Sequence, residues 1–189
     1  MSYANPLTFF GVLVLAEDRS RWNEKYRNEP RHALVNPNLI RYAPLLKTGR
    51  VLDLAGGLGQ NGEWLMSYSS VFRAVNCDIS DEALRHASKE TARVLADAGA
   101  LPFANASFDT ILCIRFFDPR VSFHSLLKGS GTVFFETLTT ADEKYRPDFN
   151  PAHRFDLATI PQLFAQLKIL LAQETDDGHR VYATVIARK

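Results

Sequence analysis

The stretch that decides the fold is Arg50-Val51-Leu52-Asp53-Leu54-Ala55-Gly56-Gly57-Leu58-Gly59-Gln60-Asn61. Val51, Leu52 and Leu54 read as a short buried strand, and the glycines behind it lead into a helical stretch. Glycine at a strand-to-helix turn lets a ligand approach the backbone, because no Cβ stands in the way. The first amide N–H groups of the next helix then face that ligand, backed by the positive end of the helix dipole. Nucleotides are bound by turns of this kind. No Gly-Lys-Ser/Thr follows the glycines, which excludes a phosphate-cradling P-loop. Asp53 stands inside the motif, ahead of the glycines. There it would repel a pyrophosphate but suit an ammonium group or a bridging water. The ligand is expected to bring a cation to this spot.

Composition sets the outer bounds. The chain has 189 residues, 46% hydrophobic and 23% charged, with a net charge of +1. One soluble domain is the default at this size. The charge balance gives no footprint for nucleic acid or for an anionic membrane. Cys77 and Cys113 are too few for a disulfide scaffold or a cysteine-rich zinc site, and no metal is expected. A cytoplasmic location follows from the same reading. Leu7 to Ala16 (LTFFGVLVLA) is a run of ten that is too short to span a bilayer. No basic residue precedes it, as a signal peptide would require. Residues 1–20 therefore read as an apolar N-terminal extension, docked on the domain or on a partner chain. Residues 21–189 read as a single domain, either monomeric or a homodimer through that segment.

The rest of the chain alternates helical and strand signals. Trp22 and Tyr26 lie at i and i+4 on one helical face. Asn36-Pro37 opens a second helix whose apolar stripe is Leu39, Ile40, Ala43 and Leu46. A helix over Glu63 to Ser69 and a strand over Val71 to Cys77 follow. Asp78 comes 78 − 53 = 25 positions after Asp53, close to where a second-strand carboxylate meets a ribose diol. An ionised carboxylate accepts from both hydroxyls. Ser80 caps a helix expected from Asp81 to Thr91, which leaves Asp78 for the ligand. A third strand, Arg93 to Ala96, leads into Asp97 and Ala98, suited to the edge of a nucleobase. The fourth strand, Thr110 to Arg115, is apolar almost throughout, as a parallel strand covered on both faces should be. A helix over Ser122 to Leu127, a Gly129–Gly131 turn and a fifth strand, Thr132 to Glu136, come next. Ala141 to His153 forms a polar loop long enough to act as a lid. A helix is expected from Arg154 to Gln166. Lys168–Glu174 and Arg180–Ala187, joined through Asp177-Gly178, read as a hairpin.

Several of these segments share a family. Asp53-x-Ala55-x-Gly57-x-Gly59 resembles motif I of class I S-adenosylmethionine (SAM) dependent methyltransferases, with alanine at the first glycine position. Asp78-Ile79-Ser80-x-x-Ala83-Leu84 is similar to the family's second motif, where the residue after the acid packs on adenine. Ala100-Leu101-Pro102-Phe103 with Ser107-Phe108-Asp109 resembles a third family segment. The Trp22-x-x-x-Tyr26 helix and Glu136-Thr137-Leu138-Thr139 look like small methyltransferases of the tellurite-resistance type. The resemblance runs from Trp22 to Arg188.

It implies a Rossmann-like α/β fold, with a seven-stranded mixed sheet in the order 3-2-1-4-5-7-6 and strand 7 antiparallel. It implies SAM as the cofactor, giving S-adenosylhomocysteine (SAH). The implied cofactor-binding residues are Trp22, Tyr26, Asp53, Ala55, Gly56, Gly57, Gly59, Asn61, Asp78, Ile79, Asp97, Ala98, Arg115 and Phe116. The acceptor is expected to be a small molecule: a thiol, an oxyanion such as selenite or tellurite, or a hydroxyl. A soft anion needs no base, whereas a hydroxyl or amine would use Glu136 or His153. Arg115 or Arg120 would hold an anionic substrate. A SAM-binding module without catalysis is the alternative. A nicotinamide oxidoreductase is disfavoured by Asp53 within the motif and by the terminal hairpin.

Overall fold

The computed structural model describes residues 6–28 and 34–189, with the side chains of the first helix described from Ala16 onward. Its centre is β1 (Arg50–Leu54), which pairs in parallel with β2 (Arg73–Asp78) on one side and β4 (Phe108–Ile114) on the other. β3 (Ala92–Leu95) extends the sheet beyond β2, and β5 (Leu127–Leu138) extends it beyond β4, both in parallel. The hairpin of β6 (Lys168–Asp176) and β7 (Val181–Arg188) completes the order β3-β2-β1-β4-β5-β7-β6, with β7 antiparallel to both neighbours. This is the expected sheet, strand for strand.

Alternation along the central strands makes two cores. Leu52, Ile111 and Val133 point to one face, while Val51, Leu112 and Phe134 point to the other. A strand buried on both faces must be apolar in both registers, which is why these three carry continuous hydrophobic runs. Phe117, Phe123, Phe135, Phe155 and Phe164 pack ring on ring, edge to face except for the stacked Phe123–Phe164 pair. Cys77 and Cys113 are buried free thiols that flank Leu54 from opposite strands. Two strand spacings, about 9.6 Å, keep them beyond disulfide reach.

The helices are α1 (Pro6–Asn28), α2 (Pro37–Tyr42), α3 (Gln60–Tyr68), α4 (Asp81–His86), α5 (Phe123–Leu126) and α6 (Ile160–Leu163). Several are shorter than the sequence suggests. α4 stops at His86, where Ala87 turns to an extended conformation, five residues ahead of the expected Thr91. The expected helix from Arg154 is a correction of kind: Phe155 is drawn into the sheet edge, bridging Thr139, because its ring belongs to the aromatic core. Only a 3₁₀ turn at Leu157–Thr159 and α6 remain of it. Gly129 to Gly131 lies inside β5, where the ladder jumps from Phe108–Leu127 to Thr110–Thr132. Ser130 takes a positive φ of 59° within that bulge. In α2, Leu39 is fully buried whereas Ile40 is 48% exposed, so the apolar stripe is narrower than read.

α1 is one continuous helix that runs across position 20, the end of the expected extension. Whether the apolar run at its start docks on anything lies outside the described side chains. No described helix is long and apolar enough to cross a membrane.

Candidate functional site

The site begins where β1 runs out. Ala55, Gly57 and Gly59 take left-handed φ values of 52°, 57° and 77°, folding the chain back sharply before α3. Gly59 is the N-cap of that helix. Alanine tolerates the left-handed region at a cost that glycine avoids, so Ala55 adds local strain. A Cβ at Gly57 would strike the Tyr26 hydroxyl of α1, so close approach as well as φ demands glycine there.

Two carboxylates hold this turn. Asp78 Oδ2 accepts from Gly57 N at 2.8 Å and its Oδ1 from Ser80 N at 2.8 Å. Asp53 Oδ2 accepts from Gly62 N, in the first turn of α3, at 2.9 Å. Asp53 Oδ1 has no hydrogen-bond donor among the described residues. Asn76 is the register partner of Asp53 on β2 and donates to Gly57 O at 2.9 Å, while its own buried Oδ1 finds no donor. Burial pushes the Asp53 carboxyl up to about 7, against the pull of the Gly62 bond, and the charge of Asp78 adds to the rise. Burial likewise raises Asp78, although Ser80, Gly57 and Ile79 N–H groups oppose it. Two acids under such pressure are poised for a cation.

A cavity of about 1150 Å³ opens over the turn. Asp53, Ala55, Gly56 and Asn61 line its floor, Asp78 and Ile79 its second-strand side, and Asp97 and Ala98 its third-strand side. Trp22 and Tyr26 cover it from α1, and Arg115, Phe116 and His153 line the end beyond β4. All but three of the sequence-predicted site residues are thus brought together. Gly57 and Gly59 lie behind the wall as the frame of the turn, and Glu136 does not reach the cavity.

Glu136 is 3% exposed at the end of β5. Its Oε1 accepts from Asn36 Nδ2 at 2.5 Å, and its Oε2 from Asn38 Nδ2 at 2.8 Å and Thr184 Oγ1 at 2.9 Å. Asn36, the N-cap of α2, lines the cavity and also donates its backbone N–H to Asn61 Oδ1 at 2.9 Å. The sequence marked Asn36 only as a helix start. Its link to Asn61 and Glu136 is tertiary, with no local signal.

The covering helix is tied down by polar groups. Arg19 and Asn23 both reach Asp81 Oδ1, at 2.9 and 2.8 Å, and Arg27 reaches Glu82 Oε1 at 2.9 Å. Asn23 Oδ1 also accepts from Ser80 Oγ at 2.7 Å. Trp22 and Tyr26 stack at 6.1 Å, and Lys25 sits 4.5 Å from the Trp22 ring centre. Of the polar loop, Ala152 and His153 reach the cavity; both ends of the loop form 3₁₀ turns, Thr140–Lys144 and Pro151–His153.

Comparison with known proteins agrees with this geometry. The methyltransferase domain family matches residues 52–128. No curated protein matches by sequence. A Pyrococcus horikoshii OT3 protein superposes with a TM-score of 0.66 at 20% identity, over 87% of this chain and 98% of its own. TehB from Haemophilus influenzae gives 0.69 at 15%, over 89% and 67%. Burkholderia thailandensis 1,6-didemethyltoxoflavin-N1-methyltransferase, crystallised with bound 1,6-didemethyltoxoflavin and S-adenosylhomocysteine, gives 0.66 at 19%, over 100% and 92%. With its motif region matching a methyltransferase domain model and its sheet in this order, the chain has the Rossmann-like fold of class I SAM-dependent methyltransferases, whose cofactor is SAM.

Proposed function

We propose that this protein transfers the methyl group of SAM to a small-molecule acceptor. The observation that carries the reading is the pair of buried carboxylates, Asp53 and Asp78, flanking a glycine turn at one end of a cavity that continues past β4. SAM supplies an electrophilic methyl on a sulfonium, so the chain has chiefly to bind, align and exclude water.

In this reading Asp78 accepts from the ribose hydroxyls with the lone pairs its backbone bonds leave free. Ile79 packs on the adenine, and Asp97 and Ala98 meet its edge. Asp53 faces the ammonium group. Ala55, Gly56, Gly57, Gly59 and Asn61 shape the turn, and Trp22 and Tyr26 close over the donor. Arg115 and Phe116 bound the acceptor end, with His153 as the proton acceptor when the nucleophile carries a proton. Glu136 is a positioning residue: with both oxygens bonded, it acts through Asn36. Residues 21–189 form the working domain, with 1–20 as its extension. Two free buried thiols suit a reducing, cytoplasmic setting.

The test is transfer of label from methyl-labelled SAM to a panel of thiols, phenols, amines and oxyanions. Label in an organic or volatile product supports the reading. SAM binding with no transfer to any class would favour the non-catalytic module.

A further inference from the structure

Resting on the methyltransferase reading, we infer that the acceptor is a neutral, aromatic or largely apolar small molecule, and not an oxyanion. Three observations converge. The first is room. Single-ligand pockets run to roughly 300–1,000 Å³, and this cavity of about 1150 Å³ exceeds that range. An ion of a few atoms beside SAM would leave most of the acceptor end filled with water.

The second is charge. Five carboxylates and three cations line the cavity. Asp53, Asp78 and Asp97 are given to the donor, Asp118 binds Arg120, and Asp18 pairs with Arg21 outside the lining. An oxyanion site needs several convergent donors that are not already spoken for. Arg120 is engaged through Nε and Nη2 with Asp118, and its Nη2 also reaches Asp97 at 3.4 Å. Lys25 rests on the Trp22 ring and Arg115 lies 5.7 Å from the Tyr182 ring centre. Arg115 is thus the single acceptor-end cation without an acid partner among the described residues, and one guanidinium is fewer than the several convergent donors an oxyanion needs.

The third is the wall. Besides the Trp22 and Tyr26 cover, Leu34, Val35, Pro37, Phe116 and Phe117 supply apolar lining to the cavity. Phe117 is fixed edge-on against Phe155, with ring centres 5.4 Å apart, so it offers a rigid face for a ring to pack on. Leu34 lines the mouth yet is 93% exposed, an apolar side chain that water surrounds until something covers it.

The chemistry balances without a further reagent. A lone pair on the acceptor's hydroxyl oxygen, ring nitrogen or sulfur attacks the methyl carbon. The carbon–sulfonium bond breaks, and its electron pair stays on sulfur as a neutral thioether. Where the nucleophile carried a proton, that proton passes to the His153 imidazole and from there to water.

The experiment titrates the full chain, saturated with SAH, with 1-naphthol and separately with sodium selenite and sodium tellurite, by calorimetry. SAM with each acceptor is assayed in parallel for SAH release. The expected result is saturable naphthol binding, at least about tenfold tighter than either oxyanion. Leu34→Asp, at a position too exposed to hold up the fold, should weaken naphthol several-fold and leave SAH binding and melting unchanged. Oxyanion binding as tight as naphthol, faster turnover of an oxyanion, or no naphthol binding to the SAH complex overturns the inference while the methyltransferase reading stands. Failure of SAH itself to bind removes both.

Discussion

The two ends of the cavity are built differently. At the donor end, Asp53 and Asp78 are held by backbone N–H groups at most 21 positions away, all within one βαβ unit. At the acceptor end, Glu136 is held by side chains 100, 98 and 48 positions distant, on α2 and β7. The donor end is thus local grammar, a turn that its own residues dictate. The acceptor end exists only when the whole sheet has assembled. Asp53 and Asp78 are ligand-facing because they line the cavity, whereas Glu136 is structural because its side-chain partners hold it behind the wall.

The sharpest way to break this comparison is Glu136→Ala. It strands the Asn36, Asn38 and Thr184 donors in the interior, and breaking such a buried network costs about 3–5 kcal/mol. Thermal melts should fall steeply, while SAH affinity in the folded fraction stays close to wild type. A protein that melts normally but has lost turnover would restore Glu136 to the role of base.

At the donor end, Asp78→Ala should weaken SAM by about 1.5–3 kcal/mol, since it removes the acceptor of two hydroxyls. Equal affinity in a folded variant would move the ribose elsewhere.

Asp53 adds a pH dependence. Its folded pKa, about 7, lies above the ordinary 3.8, so the empty folded protein holds the extra proton between those values. Its contribution to stability therefore declines as pH rises from about 4 to about 7, and levels off above. A cationic ligand needs the ionised form, so SAM affinity should rise as pH climbs through 7, by roughly tenfold between pH 6 and 8. Calorimetry across that range checks both slope and sign. A flat profile would mean that Asp53 does not face the cation.

The smallest effect concerns the cover. Trp22→Ala should lower SAM affinity by about 0.5–2 kcal/mol and turnover with it, with little change in the unliganded melt. Because α1 is held by exposed ion pairs, raising salt should mimic part of that loss. A large unliganded drop with an undiminished ligand shift would make the Trp22–Tyr26 pair a structural staple.

The same division explains what the sequence disclosed. Motif I, Asp78 and the Asp177-Gly178 hairpin were legible because strand, turn and ligand-facing acid lie within a few residues of each other. Sheet order followed from the family resemblance and the run of alternating elements. Asn76 was invisible as a neighbour of Asp53, since only the register of β1 on β2 brings the two together. Glu136 looked like a base from its place at a strand end, and its three partners could not be read from local pattern. The helix before α6 was overdrawn for a related reason: propensity favoured continuation, while burial of Phe155 in the aromatic core pulled the chain out of helix.

The central claim is that the methyl donor lies against Asp53 and Asp78. Its most direct test is calorimetric titration of SAM into the wild-type chain and into the near-isosteric double variant Asp53→Asn/Asp78→Asn at pH 8. The account predicts one SAM per wild-type chain and a loss of at least about a hundredfold in the folded fraction of the variant, whose melting drops because an amide at position 78 can accept only one of the Gly57 and Ser80 N–H bonds. No saturable binding by the wild type, or full affinity in the double variant, would contradict it.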